Sequence, residues 1–283
     1  MNIFVIIDGL GDLPVPELGN KTPLEAAKLP NLNWFAKNGR LGYHYPIKEG
    51  IAPESDSAIL ALLGNDAEKT YMGRGPIEVL GAGLKFNEGD LVLRTNFATV
   101  QDREVIDRRD GRSLTTKEAR VLERAINNGV KLEYPFLYKT TIQHRGVLII
   151  KGNFSPDITN EDPAYKRVGK IGVANKGNNL LKPCKALNRK SKKSADAVNS
   201  FEDQALEILN MHKLNQKRMK KGLLPANAFL LRDAGIKLPK MKPLRNWAAV
   251  VSMPLEIGLA KIAKMKVIKF KYPEMKTIYV YDN

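Results

Sequence analysis

The sequence predicts an α/β protein whose central sheet is covered on both faces. Residues 2–7 form an unbroken apolar run of Ile, Val and Phe, which is typical of a strand buried on both sides. Helix signals follow this run along the chain. Thr22 and Glu25 make a capping box, and Ser55 opens an apolar helical segment that ends at Gly64. A buried strand followed by capped helices favours the α/β class.

The composition is that of an ordinary soluble protein. The 283 residues suffice for one large domain or two smaller ones, with 43% hydrophobic and 27% charged residues. The single cysteine, Cys184, excludes a disulfide framework and a cysteine-rich zinc site. No stretch reaches the roughly 18 apolar residues that a membrane span needs. We therefore expect a cytoplasmic protein with no membrane partner.

The net charge of +16 favours anionic partners, since 46 Lys and Arg face 30 Asp and Glu. Candidate partners are phosphorylated metabolites, nucleic acid or an acidic subunit. The basic runs at residues 185–193 and 217–221 contain no aromatic residue that could stack on bases. We interpret both runs as solvated faces, so nucleic acid is the less favoured partner.

Two polar clusters are candidate sites. Asp8 follows the predicted first strand, at the edge of the sheet where ligands of α/β folds lie. Ser55 stands between Glu54 and Asp56 at the start of an apolar helix. From the residues alone two interpretations stay open. Asp8 and Ser55 are a metal ligand and a hydroxyl nucleophile, or they are a turn residue and a helix cap.

The middle of the chain predicts a smaller α+β domain inserted into the sheet domain. Residues 91–100 have strand character, Thr115 and Glu118 form a second capping box, and residues 137–151 predict a hairpin. The expected domains are residues 1–92 together with 245–283 for the core, and 93–244 for the insertion. Near the end we expect strands at 248–251, 267–270 and 278–281, with a helix that begins at Pro254.

Arginines mark candidate anion sites. Arg74 lies between two glycines and could offer a guanidinium fork to a phosphate, although a simple turn fits the pattern equally well. Residues 107–112 form a turn with three arginines, Arg108, Arg109 and Arg112. Arg145 lies at the tip of the predicted hairpin. For each arginine a surface ion pair is the alternative.

Taken in order, the motifs resemble those of the archaeal-type cofactor-independent phosphoglycerate mutases, relatives of alkaline phosphatase. The resemblance runs from the N-terminus to about Met265. The motifs that carry it are Asp8-Gly9-Leu10-Gly11-Asp12, Lys21-Thr22-Pro23-Leu24-Glu25-Ala26-Ala27, Ser55-Asp56-Ser57-Ala58, Gly73-Arg74-Gly75-Pro76-Ile77-Glu78, Leu80-Gly81-Ala82-Gly83, Asn96-Phe97-Ala98-Thr99-Val100, Asp107-Arg108-Arg109 and His144-Arg145-Gly146-Val147-Leu148.

The resemblance implies an alkaline-phosphatase-like core, incomplete at the C-terminus, and a phosphoserine mechanism that interconverts 3-phosphoglycerate and 2-phosphoglycerate. Ser55 matches the nucleophile, Ser57 is the second choice, and Asp8 would bind the metal beside Ser55. Two divalent ions, Mn²⁺ or Mg²⁺ with Zn²⁺ or Co²⁺ as alternatives, would clamp the reacting oxygens, and no 2,3-bisphosphoglycerate is needed. The five arginines named above would bind the carboxylate and phosphate of the substrate.

The chain departs from the family pattern in two places. Ile59 stands where the family has histidine. The C-terminal Asp-Glu-x-x-His-Asp and Asp-His segments, which supply metal ligands in the family, have no counterpart before Asn283. We therefore expect a split enzyme in which a second polypeptide carries these segments. The alternative is a non-catalytic basic module, descended from the mutase fold, that binds anionic partners.

Overall fold

The computed structural model describes residues 2–269. The chain forms two compact units, Met1–Tyr45 and Pro46–Asn283. The predicted domain boundaries near residues 92 and 245 fall inside the second unit and stay predictions. No helix within residues 2–269 has the length and apolar character that crossing a membrane requires. The predicted strand at 278–281 lies outside the described residues.

The first unit contains two short helices, α1 (Pro23–Ala26) and α2 (Pro30–Asn38). The predicted capping box is confirmed, because the Thr22 hydroxyl accepts the Glu25 N–H and the Glu25 carboxylate accepts the Thr22 N–H. The prediction of a buried strand at residues 2–7 is wrong. These residues form no strand, and Ile3 and Val5 are 75% and 70% exposed. A strand needs a neighbouring strand for its backbone hydrogen bonds, and within residues 2–269 none pairs with this run.

The helices of the second unit form two groups. One group is α3 (Ser55–Leu62), α4 (Ala67–Thr70), α5 (Arg74–Gly81) and α9 (Pro254–Ile262). The other is α6 (Thr116–Gly129), α7 (Lys192–Met211) and α8 (Lys213–Lys220). Helices α5 and α9 cross closely, because a Cβ at Gly81 would lie 1.7 Å from the Pro254 carbonyl oxygen and one at Gly258 would lie 2.1 Å from that of Ile77. Only glycine permits this approach.

A five-stranded antiparallel sheet lies at the centre of the second unit. The long strand β1 (Leu91–Gln101) pairs with β4 (Arg145–Ile150) on one edge and β7 (Ala228–Gly235) on the other. Near its end β1 also pairs with β2 (Glu104–Asp107), with a register shift between Thr99 and Val100. Strand β3 (Phe136–Ile142) extends the sheet beyond β4. The predicted strand and hairpin are confirmed. The antiparallel arrangement differs from a βαβ sheet because hairpins, rather than helical crossovers, join β1 to β2 and β3 to β4.

Two further strand pairs flank the sheet. Strands β5 (Tyr165–Val168) and β6 (Ile171–Ala174) form an antiparallel hairpin. Strands β8 (Ala248–Val250) and β9 (Lys266–Ile268) pair in parallel around α9. These agree with the strands predicted at 248–251 and 267–270 to within a few residues. The described fold is thus a mixed α/β structure dominated by antiparallel pairing.

The two faces of the five-stranded sheet differ in polarity. One face packs against α6 and α7 through an aromatic core that includes Phe97, Tyr138 and Phe229. On the opposite face, Val92 and Val147 pack against Val79 of α5. Side chains two residues apart on a strand share one face. Further along β1, Arg94 and Asn96 therefore follow Val92 on this face and make it polar. Arg94 lies in this polar region, where it contacts Glu54 and Glu78.

Candidate functional site

Ser55 is the first residue of α3 and is half-buried. The residue before it, Glu54, has extended backbone angles and serves as the N-cap. The backbone N–H groups of a first helical turn have no partner within the helix, and the helix dipole places partial positive charge there. A negative group on Ser55 would therefore lie in a favourable field.

Ser57 has a different environment. Its side chain is fully buried, and its hydroxyl donates a hydrogen bond to the Glu54 carbonyl oxygen at 3.2 Å. Its N–H donates to the Asp56 carboxylate at 2.7 Å, and Asp56 also accepts a short hydrogen bond from the Tyr71 hydroxyl. Ser57 and Asp56 thus stabilise the start of α3 from inside, whereas Ser55 remains partly accessible.

The Glu54 carboxylate is surrounded by arginines from three elements. Its Oε2 lies 3.1 Å from Arg232 Nη2, 3.5 Å from Arg74 Nη1 and 3.6 Å from Arg94 Nη1. Burial and the neighbouring Asp233 carboxylate raise the pKa of Glu54 to about 8, against the influence of Arg232. Burial and the Asp233 carboxylate favour the neutral form of Glu54, whereas the three guanidiniums within 3.6 Å favour the ionised form.

A second carboxylate, Glu78, binds two of the same arginines. Glu78 Oε1 lies 2.6 Å from Arg74 Nε and 3.4 Å from Arg94 Nε. Burial raises the pKa of Glu78, but the guanidiniums of Arg74 and Arg94 overcome this and hold it below its usual value. Burial and the charges of Arg232 and Arg74 lower the pKa of Arg94 to about 9. Arg74, predicted as a substrate ligand, is therefore engaged with carboxylates inside the protein.

Arg232 links this network to a second one. It lies opposite Arg94 in the β1–β7 register, and its guanidinium covers the Tyr165 ring at 3.6 Å. Its Nη1 is 3.7 Å from Asp162 Oδ2. Asp162 in turn binds Arg108 through both carboxylate oxygens, at 2.5 and 2.6 Å. A continuous series of contacts therefore runs from the residue preceding Ser55 to Arg108.

Arg108, Arg109 and Arg112 line one cavity of about 380 Å³, together with Val105, Ile106, Asp107 and Asn179. The turn that carries them is held by Asp107, whose Oδ1 accepts the N–H groups of Arg109 at 2.7 Å and Gly111 at 2.9 Å. Three consecutive residues, 110–112, have left-handed φ angles of 53°, 61° and 54°. For the two that are not glycine, such angles are costly and persist where the surroundings enforce them. The strained turn brings the three predicted arginines together.

Arg145 and His144 lie at the hairpin tip between β3 and β4. Arg145 is half-buried, and its Nη1 contacts Met253 Sδ at 3.4 Å. Burial, followed by the charges of Arg145 and Arg109, lowers the pKa of His144 to about 3. His144 is therefore neutral at physiological pH and adds no charge to the arginines around it.

Asp8 belongs to the first unit, where it lies in a turn and is exposed. Residues 2–269 contain no group of three or more His, Cys, Asp or Glu that could hold a metal ion. The described residues therefore do not fit a two-metal site. The assignment of Asp8 as a metal ligand stays a prediction.

Sequence reasoning missed Arg94, Arg232 and Asp162, and it did not assign a role to Glu54. A signal for the two arginines was present. Each interrupts an otherwise apolar strand segment, Leu91-Val92-Leu93-Arg94 and Phe229-Leu230-Leu231-Arg232. Arginine is almost never fully buried unless it is paired, so a charge in such a segment indicates a buried ion pair.

The family model of 2,3-bisphosphoglycerate-independent phosphoglycerate mutase matches residues 36–215. Relatives of that name from Aeropyrum pernix and Pyrococcus furiosus are each 40% identical, over 92% of this chain and 64% and 62% of their own lengths. The chain thus spans less than two thirds of these curated relatives.

Two solved structures are also similar to this chain. The cofactor-independent phosphoglycerate mutase from Thermoplasma acidophilum is 35% identical with a TM-score of 0.53, over 94% of this chain and 69% of that one. The PH0037 protein from Pyrococcus horikoshii is 28% identical with a TM-score of 0.63, over 93% and 59% of the two chains. The family match over residues 36–215, together with this identity to a solved mutase, shows that the chain belongs to the 2,3-bisphosphoglycerate-independent phosphoglycerate mutase family.

Proposed function

We propose that this chain carries the nucleophile and the substrate-binding arginines of a phosphoglycerate mutase. The reaction would interconvert 3-phosphoglycerate and 2-phosphoglycerate without 2,3-bisphosphoglycerate. The observation that carries the proposal is the contact series from Glu54, which precedes the half-buried Ser55, through Arg232 and Asp162 to Arg108. It joins a hydroxyl at a helix N-terminus to a cavity lined by three arginines. The alkaline-phosphatase-like core with an insertion at residues 93–244 is part of the same proposal.

The chemistry consists of two phosphoryl transfers at Ser55. In the first, a bond forms between Ser55 Oγ and phosphorus while the bond from phosphorus to the C3 oxygen of glycerate breaks, and the serine proton ends on that C3 oxygen. In the second, the C2 hydroxyl of the bound glycerate takes the phosphoryl group and its proton returns to Ser55. The position of Ser55 in the first turn of α3 favours the negative phosphoserine.

The arginines would hold the anionic groups of the substrate. Arg108, Arg109 and Arg112 share one cavity. Arg109 and Arg112 would bind a carboxylate or phosphate through two parallel hydrogen bonds, whereas both Nη atoms of Arg108 contact Asp162, so Arg108 would contribute mainly its charge. Arg145 is half-buried at the start of β4 and would add a further guanidinium for the anionic groups of the substrate. Arg74 is buried against Glu54 and Glu78, so its part in the site is to organise these carboxylates.

Two divalent metal ions, Mn²⁺ or Mg²⁺, remain part of the proposal because of the family. Such ions would lower the pKa of the serine hydroxyl and neutralise developing charge on phosphate oxygens. Because the described residues do not fit a dinuclear site, no catalytic step is assigned to them.

The test is turnover of 3-phosphoglycerate by this chain together with the expected second polypeptide, in the presence of Mn²⁺ or Mg²⁺ and coupled to enolase. Ser55→Ala should abolish turnover and also abolish the phosphorylated peptide that contains residue 55 in a rapid-quench digest. Ser57→Ala is the matched control. It should keep the phosphopeptide, although loss of a buried hydrogen bond should destabilise the fold by about 1 kcal/mol. Full activity of Ser55→Ala would show that the nucleophile is another residue.

A further inference from the structure

Three buried arginines from three different elements meet at one oxygen atom. Arg74 begins α5, Arg94 lies in the middle of β1, and Arg232 lies opposite it on β7. All three side chains are less than one tenth exposed, and each places a guanidinium nitrogen within 3.6 Å of Glu54 Oε2. Surface ion pairs do not converge in this way. The geometry is that of a site built to receive an oxyanion.

Carboxylates and strand β6 lie around the three guanidiniums. Glu78 forms ion pairs with Arg74 and Arg94. Asp162 and Asp233 form ion pairs with Arg232. Strand β6 packs directly against Glu54, because a Cβ at Gly172 would lie 2.8 Å from Glu54 Oε1. Ion pairs therefore hold the three arginines in place around Glu54. Within the described residues, Glu54 Oε1 makes no hydrogen bond.

The charges of the converging guanidiniums favour an anion at this position. The ion pairs of the network join four arginines to four carboxylates, namely Arg74, Arg94, Arg108 and Arg232 with Glu54, Glu78, Asp162 and Asp233. Asp56 is a further buried carboxylate whose charge reaches Glu54 and Arg74. Without Glu54, each of the three converging arginines would still lose one carboxylate contact, which is destabilising inside a protein.

We propose that Arg74, Arg94 and Arg232 form an oxyanion-binding pocket, and that the Glu54 carboxylate is its resident ligand. The ligand class is a carboxylate or a phosphate oxyanion, supplied in this chain by its own side chain. Because Glu54 precedes Ser55, the bound carboxylate also anchors the first turn of α3 to strands β1 and β7. That positioning role rests on the proposed function, whereas the pocket itself does not.

The test is chemical rescue of Glu54→Ala by small anions. This variant vacates the pocket and should have a lower thermal midpoint than the wild type. Sodium formate, acetate and phosphate are titrated separately, each against sodium chloride at equal ionic strength. Linkage predicts a saturable rise of roughly 3–5 °C at an anion concentration ten times the dissociation constant. Phosphate rescue at lower concentration than formate identifies a pocket for tetrahedral anions, and the reverse order identifies one for carboxylates.

Two controls separate specific rescue from general salt effects. Glu118→Ala removes a carboxylate beside one buried arginine, Arg218, rather than beside three, and its midpoint should follow ionic strength alone. Glu54→Gln fills the pocket with an uncharged group of the same shape, so its midpoint should fall without saturable rescue. Wild-type protein should respond as Glu118→Ala does.

The proposal is overturned if Glu54→Ala shows no saturable rise beyond the two controls with any of the three anions. If Glu54→Ala is insoluble in chloride buffer, recovery after refolding in formate is compared with recovery in chloride, and equal recovery is again a negative result. Because the readout is thermal stability, it stands apart from mutase turnover. Rescue of Glu54→Ala by an anion, without mutase turnover by the wild type, would contradict the proposed function alone. Turnover by the wild type, without rescue of Glu54→Ala, would contradict the pocket alone.

Discussion

Arg108 and Asp162 form a two-point ion pair in which both guanidinium Nη atoms lie 2.5–2.6 Å from the two carboxylate oxygens. The Asp162 side chain is completely buried, whereas that of Arg108 is 31% exposed. The carboxylate therefore belongs to the protein interior, and the guanidinium reaches from it towards the arginine-lined cavity. This pair determines where Arg108 presents its charge.

Asp162→Asn should weaken binding of phosphoglycerate more than it slows chemistry. The amide keeps the shape of the side chain but loses the charge that orients Arg108 and Arg232, so KM should rise about tenfold, equivalent to about 1.4 kcal/mol. Steady-state kinetics of the variant test this. Asp203→Asn is the control, since Asp203 makes an exposed pair with Arg103 at 3.8 Å and such pairs contribute little. A fall in kcat at unchanged KM would contradict a role in binding.

Gly172→Ala should destabilise the protein by about 1–3 kcal/mol. The added methyl would lie 2.8 Å from Glu54 Oε1 and 3.0 Å from Asp233 Oδ1, both held in the charge network. In the Glu54→Ala background the cost should be smaller by at least about 0.5 kcal/mol, because one of the two obstacles is gone. Urea unfolding of the four proteins in this cycle measures the coupling.

Gly169→Ala, in the same hairpin, is the matched control for that cycle. A Cβ there meets nothing within 4 Å, but φ is +59°. Its cost of about 1 kcal/mol comes from the backbone and should not depend on residue 54. Equal coupling for both glycines would mean that the contact with Glu54 is unimportant.

His144 should make the protein sensitive to mild acid. The pKa of His144 in the folded chain is about 3, below the ordinary value of 6.5. Below pH 6.5 this imidazole therefore binds a proton in the unfolded chain but stays neutral in the folded chain. Stability from this group is complete above pH 6.5 and is lost as pH falls towards 3, by about 2 kcal/mol between pH 7 and 5. Urea unfolding of His144→Gln should show that much less acid loss than the wild type. His44→Gln, at an exposed position, should keep the wild-type dependence.

Glu161 and Glu202 should have the opposite effect. Both are fully buried, and burial raises the pKa of each well above 4.5, with Glu202 adding to the rise at Glu161. The folded chain therefore holds protons that the unfolded chain releases, so stability is greatest below pH 4.5 and declines as pH rises through the folded pKa. Arg103 and Asp203 are the other charges facing the pair.

Thermal midpoints of Glu202→Gln at pH 5, 7 and 8 test this expectation. The amide oxygen can still accept the Phe229 N–H, which Glu202 Oε1 accepts at 3.0 Å. The variant should gain on the wild type as pH rises. Glu207→Gln, on the exposed side of α7, should follow the wild type at each pH. A constant difference between Glu202→Gln and the wild type would show that no proton is linked to folding at this pair.

Metal analysis of the purified chain tests the expectation of a second polypeptide. Because residues 2–269 contain no cluster of three or more metal-binding groups, we expect weak binding of Mn²⁺ or Mg²⁺ by this chain alone. Equilibrium dialysis followed by elemental analysis gives the stoichiometry. Two tightly held ions per chain, together with turnover and no added partner, would contradict both the weak binding and the split enzyme.

The sequence by itself determined the local elements and the family. The capping boxes at Thr22 and Thr115 each predict a helix start that the structure contains, because the cap hydrogen bonds join residues only three positions apart. The apolar runs at residues 91–100 and 137–151 predicted β1 and the β3–β4 hairpin of the central sheet, whereas β2 and β7 were not predicted. The ordered motifs indicated the family without any three-dimensional information, since motif order is a property of the chain alone.

Tertiary structure decided which residues share a site. Residues 2–7 have the composition of a buried strand, yet a strand forms only where another supplies hydrogen bonds. Arg94 and Arg232 are far apart in the chain and become neighbours only through the β1–β7 register. That register brings both to Glu54. The surroundings of α3 bury Ser57 and leave Ser55 half-buried. Burial of charge depends on partners from distant segments, so no local pattern could assign it.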